Sequence, residues 1–143
     1  MYRFHVAIHA APPEPLAIVP ITFHKQTLDA LNLHPSQLTG TLPITFEQAA
    51  TALEQLPRMS VEPDGSFVWV AEHNQPPWQV DGLLVDRGGR LSHVELKGTC
   101  PAAQFDRLLS ICGWPAASVV FQLVRAAVFL SESAFREWAE GEG

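Results

Sequence analysis

The sequence lacks the marks of a membrane, secreted or zinc-binding protein. In its 143 residues, no uninterrupted apolar run reaches the ~18 residues of a membrane-spanning helix. The N-terminus has no basic start followed by an apolar run and a small-residue cleavage site, so no secretory signal is expected. Cys100 and Cys112 are the only cysteines. We therefore expect reduced thiols, a cytoplasmic location and no membrane partner.

Positive charge is also scarce. The chain has 9 Lys and Arg residues against 15 Asp and Glu residues, and a net charge of −6. Sequence-blind binding to nucleic acid needs a basic face, so a nucleic-acid partner is disfavoured, although a local basic groove stays open. His5 and His9 lie four apart on a predicted strand, ~13 Å along it, which is too far to share one metal ion.

The apolar patterns predict one domain over residues 1–143, of class α+β or α/β, with a mixed sheet flanked by helices. Residues 1–45 form an N-terminal region of strands and loops, and residues 46–143 form an α-β-β-β-α-β-α core. Thr45 is the expected N-cap of the first core helix. The predicted strands are Tyr2–His9, Leu16–Phe23, Ser66–Ala71, two strands within 78–98, and 117–130 with a turn near Arg125. The predicted helices are His24–Leu33, Phe46–Leu56, Cys100–Cys112 and Glu132–Glu140.

The most informative segment is the predicted hairpin, which carries Asp81 on its first strand and Glu95 and Lys97 on its second. Its register decides whether these side chains meet. A two-residue loop, Gly88-Gly89, puts Asp81 opposite Leu96 and on the other face from Glu95. A three-residue loop with a bulge at Gly89 puts Asp81 opposite Glu95. Because the second register separates apolar from polar positions better, it is the one that we predict.

This arrangement resembles the restriction-endonuclease-like superfamily, whose P-D…(D/E)-x-K motif places an acid on one core strand and Glu-x-Lys on the next. The resemblance covers roughly residues 46–126, with Val80 at the position usually held by proline. It implies that Asp81 and Glu95 bind Mg²⁺ or Mn²⁺ and that Lys97 assists phosphodiester hydrolysis. It also implies a further acid on the first core helix, for which Glu47 and Glu54 are the candidates.

Two other interpretations stay open. The chain can be an inactive relative of such nucleases, or a non-catalytic interaction domain of the adaptor or immunity type. In the second case Asp81, Glu95 and Lys97 form a solvated strand face, where an ion pair contributes at most ~1 kcal/mol. A homodimer or another protein partner is then expected.

Overall fold

The computed structural model describes residues 1–23 and 25–142, without the side chain of Glu142. These residues form an α+β fold with one nine-stranded sheet, in the order β2-β3-β9-β8-β1-β7-β6-β5-β4. The strands are β1 (Tyr2–Ala10), β2 (Ile18–Phe23), β3 (Gln26–Leu31), β4 (Met59–Val61), β5 (Ser66–Val70), β6 (Gln79–Arg87), β7 (Arg90–Cys100), β8 (Val119–Leu123) and β9 (Val128–Leu130). The helices are α1 (Phe46–Glu54), α2 (Ala102–Ile111) and α3 (Glu132–Glu142).

The helix starts follow from local capping. The hydroxyl of Thr45 accepts a hydrogen bond from the backbone N–H of Gln48, whose side chain in turn accepts one from the N–H of Thr45. This reciprocal pair satisfies two donors that the first turn of α1 leaves free. At α3, the hydroxyl of Ser131 accepts a hydrogen bond from the N–H of Ala134. The predicted N-cap of α1 at Thr45 is therefore confirmed.

The N-terminal strand occupies the middle of the sheet. β1 pairs with β7 from Tyr2 to His9 and with β8 from Val6 to Ala10, and both pairings are antiparallel. All strand pairings described are antiparallel, so the expectation of a mixed sheet is wrong. The physical reason is the position of β1. The strands β7 and β8, which α2 connects, run in the same direction but do not pair with each other, because β1 lies between them and pairs antiparallel with both. Residues 1–45 thus contribute a central strand to the same sheet as residues 46–143.

The first of the predicted helices is a strand. The predicted helix His24–Leu33 is wrong, because β3 pairs with β2 along its whole length. Leu28 and Ala30 are buried while Thr27 and Asp29 are exposed, which is the two-residue period of a half-buried strand. His24 lies outside the described residues. The sequence also gave no signal for β4, and the long predicted strand 117–130 divides into β8 and β9 at the turn near Arg125.

All three helices pack against one face of the sheet. The ring of Phe105 on α2 contacts Phe4 on β1 at a centroid distance of 5.1 Å. Phe135 on α3 stacks on Phe121 of β8 at 4.5 Å. No helix in the described part of the chain has the length and hydropathy that crossing a membrane requires. We call the opposite side of the sheet, which carries no α-helix among the described residues, the open face.

The open face is covered at one end only. There, Leu33 packs on Val120 of β8 and Phe129 of β9 in a small second cluster. The part formed by β5, β6, β7 and the first half of β1 has no layer above it among the described residues. This uncovered part carries the residues that the sequence singled out.

Candidate functional site

The hairpin of β6 and β7 closes with two residues rather than three. Arg87 pairs with Arg90, and the two glycines between them have φ values of 61° and 84°. Two consecutive positive φ angles are the requirement of a type I′ turn, which glycine meets without strain. The predicted three-residue loop is therefore wrong.

A bulge next to this turn changes the register again. Asp86 pairs with Leu91 and Val85 pairs with His93, so Ser92 is an extra residue on β7. The side chain of Ser92 is buried. Because one inserted residue shifts the pairing by one position, it reverses the effect of the shorter loop on which face each side chain occupies.

The resulting register puts Asp81 opposite Lys97, and Glu95 opposite Leu83. The predicted pairing of Asp81 with Glu95 is therefore wrong, since Glu95 is the diagonal neighbour of Asp81. Diagonal neighbours in an antiparallel pair are ~7–8 Å apart, against ~4.5–5.5 Å between the Cβ atoms of opposite residues. The three predicted side chains nevertheless share the open face and line one shallow depression of about 220 Å³, together with His5.

The polar contacts around the cluster are few. The Asp81 carboxylate accepts a hydrogen bond of 2.9 Å from the side-chain amide of Gln79. Glu95 Oε1 lies 4.0 Å from His93 Nε2. Lys97 makes no salt bridge within the described residues. The cluster thus combines two carboxylates and one ammonium group on an exposed surface.

The donor set fits a metal ion only in part. Mg²⁺ is commonly held by one or two carboxylates with water and phosphate oxygens, and Asp81 and Glu95 match that minimum. Within the described residues, however, no three His, Cys, Asp or Glu side chains are arranged to hold an ion. Glu47 and Glu54 are on α1, which packs against the opposite face of the sheet. The helix therefore supplies no further acid to the open face.

The close approach of β6 and β7 explains why a glycine follows Lys97. Gly98 has a φ of 145°, and a Cβ atom placed there would lie 2.1 Å from the carbonyl oxygen of Gln79 on β6. A larger residue would push the two strands apart at this point. Close strand packing therefore explains the glycine that follows Glu95 and Lys97.

Sequence reasoning missed a stacked pair of histidines on the open face. The rings of His9 on β1 and His93 on β7 lie 4.7 Å apart. His9 Nε2 is 3.1 Å from the side-chain oxygen of Gln122, and His93 Nδ1 is 3.2 Å from the hydroxyl of Ser92. The spacing of the histidines gave no signal, because the contact depends on β1 lying beside β7.

Burial sets the protonation of this pair. It lowers the pKa of His9 to about 4, helped by the repulsion of a charged His93 and of Arg87 and opposed by the hydrogen bond to Gln122. Burial also lowers the pKa of His93, against the attraction of Glu95. Both imidazoles are therefore neutral near pH 7.

The apolar side chains of the open face lie beside the charged cluster. Leu83 has 37% and Val68 has 39% of its surface exposed. Val68 on β5 is opposite Asp81, so an apolar side chain lies directly beside the charged cluster. The exposed apolar area is continuous with the depression, because Leu83 also lines it.

Comparison with known proteins gives the chain no family. No protein-family model, no curated protein and no solved structure matches it.

Proposed function

We propose that the open face is a non-catalytic binding surface through which two copies of this chain associate. The observation that carries the proposal is the exposure of Leu83 and Val68 on a sheet face that no helix covers. An uncovered apolar patch rimmed by polar residues is characteristic of interaction sites. Asp81, Glu95 and Lys97 are then contact residues of that surface.

The Asp81 and Lys97 pair is self-complementary, which favours a second copy as the occupant. Asp81 and Lys97 are direct cross-strand neighbours. Consider a two-fold axis that lies between the two stacked faces, parallel to the strands and midway between β6 and β7. This axis puts β6 of one copy over β7 of the other. When two such faces stack, each Asp81 therefore lies over the Lys97 of the other copy. The same axis places Val68 of β5 over His5 of β1, since these two strands lie on either side of the β6 and β7 pair.

The size of the surface implies weak association. Four strands ~4.8 Å apart and four rows of side chains ~6.8 Å apart span on the order of 500 Å². A stable protein interface buries ~800 Å² on each partner. The dimer is therefore expected to form at high micromolar protein concentration and to dissociate on dilution.

Substitution of Leu83 tests this surface. Leu83→Asp adds a carboxylate beside Glu95 at the centre of the proposed interface, so the dimer should be lost. The measurement is molar mass by light scattering over a range of protein concentrations. Ile18→Asp is the matched control, because Ile18 is 63% exposed on β2, outside the surface, and the substitution makes the same change in charge. Wild-type self-association that survives Leu83→Asp, or is lost in the control, contradicts the proposal.

The second candidate is a metal-dependent nuclease or an inactive relative, which is favoured by the shared depression of Asp81, Glu95 and Lys97. Asp81 and Glu95 would hold Mg²⁺ or Mn²⁺, and the ion would polarise a phosphodiester and acidify a bound water. Lys97 would stabilise negative charge on the phosphate.

Thermal unfolding with Mn²⁺ tests the nuclease candidate. A bound ion should raise the melting temperature by mass action, and Asp81→Asn or Glu95→Gln should remove that rise. Asp86→Asn is the control, since Asp86 is an exposed acid next to the turn of the same hairpin. Lys97→Met should retain the rise and lose cleavage of DNA or RNA. An unmoved wild-type melting temperature together with intact nucleic acid rules out this candidate.

A further inference from the structure

A cleft opens where the central strand loses one of its neighbours. β1 begins at Tyr2, but its pairing with β8 begins at Val6. The last contact on that side is the hydrogen bond of 3.1 Å from the N–H of Val124 to the carbonyl oxygen of His5. From there towards Tyr2, β1 has no paired strand on this side among the described residues. A cavity of about 380 Å³ lies at this gap, within the ~300–1,000 Å³ range of small-molecule sites.

The walls of this cleft are apolar and come from both layers of the fold. Phe4 and Leu123 belong to the core side of β1 and β8, and Trp138 belongs to α3. Phe23, at the end of β2, forms another part of the wall. An apolar ligand body placed here would exchange water contacts for contacts with these side chains.

The rim of the cleft is positively charged. Arg3, Lys97 and Arg125 line it, and none of the described residues that line it is an Asp or a Glu. These are three of the nine Lys and Arg residues in a chain with a net charge of −6. None of the three has a salt bridge to another described residue. In an acidic protein, cations that have no carboxylate partner among the described residues point to an anion from outside the chain.

Trp138 is the aromatic side chain that α3 contributes to this wall. Its side chain is only 8% exposed. Its indole N–H is the one buried side-chain donor that has no acceptor among the described residues. A buried donor without a partner is costly, and native structures rarely leave one. Because this N–H is itself buried, Trp138 contributes its apolar ring to the wall of the cleft.

We propose that this cleft binds a small organic anion, with its carboxylate or phosphate group on Arg3, Lys97 and Arg125 and its apolar body against Phe4, Leu123 and Trp138. Arginine side chains bind both kinds of oxyanion through charge-assisted hydrogen bonds. The site does not depend on association of the open faces, and its ligand binding is expected in the monomer.

Calorimetric titration with four probes tests the ligand class. 1-Naphthyl phosphate and 1-naphthoate combine the charge with an apolar body and distinguish a phosphate from a carboxylate ligand. 1-Naphthol lacks the charge at neutral pH, and inorganic phosphate lacks the body. At least one of the two naphthyl anions should bind more tightly than both partial probes, by about tenfold or more. The affinity should also fall as salt is added.

Two variants locate the binding. Arg3→Gln and Arg125→Gln should each weaken the binding of the naphthyl anion by about tenfold. Arg90→Gln, at the distant hairpin turn, should leave the affinity unchanged. Melting temperatures equal to that of the wild type show that the variants are folded. Equal affinity for naphthol and the anions overturns the proposal. So does an unchanged affinity in both cleft variants, or no binding of either anion at millimolar concentration.

Discussion

Replacing Leu96 with alanine is expected to lower the free energy of unfolding by about 2–5 kcal/mol. Leu96 lies between Glu95 and Lys97 but points to the opposite face of β7, where it is 1% exposed in the core. Truncation removes buried methyl groups and leaves a cavity that a sheet held by strands on both sides cannot close. Urea unfolding at low protein concentration, where the chain is monomeric, measures the loss.

Leu83→Ala is the matched control for this prediction. It removes the same atoms from the neighbouring strand, on the open face, where Leu83 is 37% exposed. The expected loss is about 1 kcal/mol or less. Equal losses in the two variants would mean that the two faces of the hairpin are equally buried, which contradicts the assignment of core and open face.

Acidification from pH 6.5 to pH 4 is expected to remove on the order of 2–3 kcal/mol of stability through His9. Burial and the nearby His93 lower the pKa of His9 to about 4 in the folded protein, from 6.5. The unfolded chain takes up this proton near pH 6.5, whereas the folded protein does so only near pH 4. The contribution of the neutral imidazole is therefore complete above pH 6.5 and is lost as the pH falls towards 4.

The histidine contribution is isolated by comparing the pH dependence of urea unfolding in two variants. His9→Phe keeps an aromatic ring against His93 and removes the titrating group, so stability should fall less steeply with pH than in the wild type. His73→Phe changes an exposed histidine in the loop after β5 and should keep the wild-type slope. A His9→Phe protein with the wild-type slope would show that the stacked pair does not control acid sensitivity.

The sequence predicted elements that are determined locally. The Thr45 cap and the apolar spacing of α1 lie within a dozen residues of each other, and the alternation along β6 and β7 is equally local. The shared face of Asp81, Glu95 and Lys97 was predicted correctly because the wrong loop length and the missed bulge offset each other. Their detailed pairing was wrong because it depends on the bulge at Ser92, a small polar residue whose burial has no signature in a single sequence.

The features that were missed depend on contacts between distant segments. β1 lies between β7 and β8, and no local pattern in Tyr2–Ala10 encodes that position. The strand β3 looked helical in isolation and is fixed by its pairing with β2. The cleft escaped prediction for the same reason, because Arg3, Lys97 and Arg125 come from three separate parts of the chain.

Charge reversal across the proposed two-fold axis tests the central claim most directly. Two copies of the Asp81→Lys variant should repel each other, and so should two copies of the Lys97→Asp variant. In each case like charges face each other at both contacts between positions 81 and 97. An equimolar mixture of the two variants restores opposite charges at both contacts. Sedimentation equilibrium should therefore find each variant monomeric alone and the mixture shifted towards twice the monomer mass, as for the wild type. A mixture no heavier than its components would contradict association through the open face.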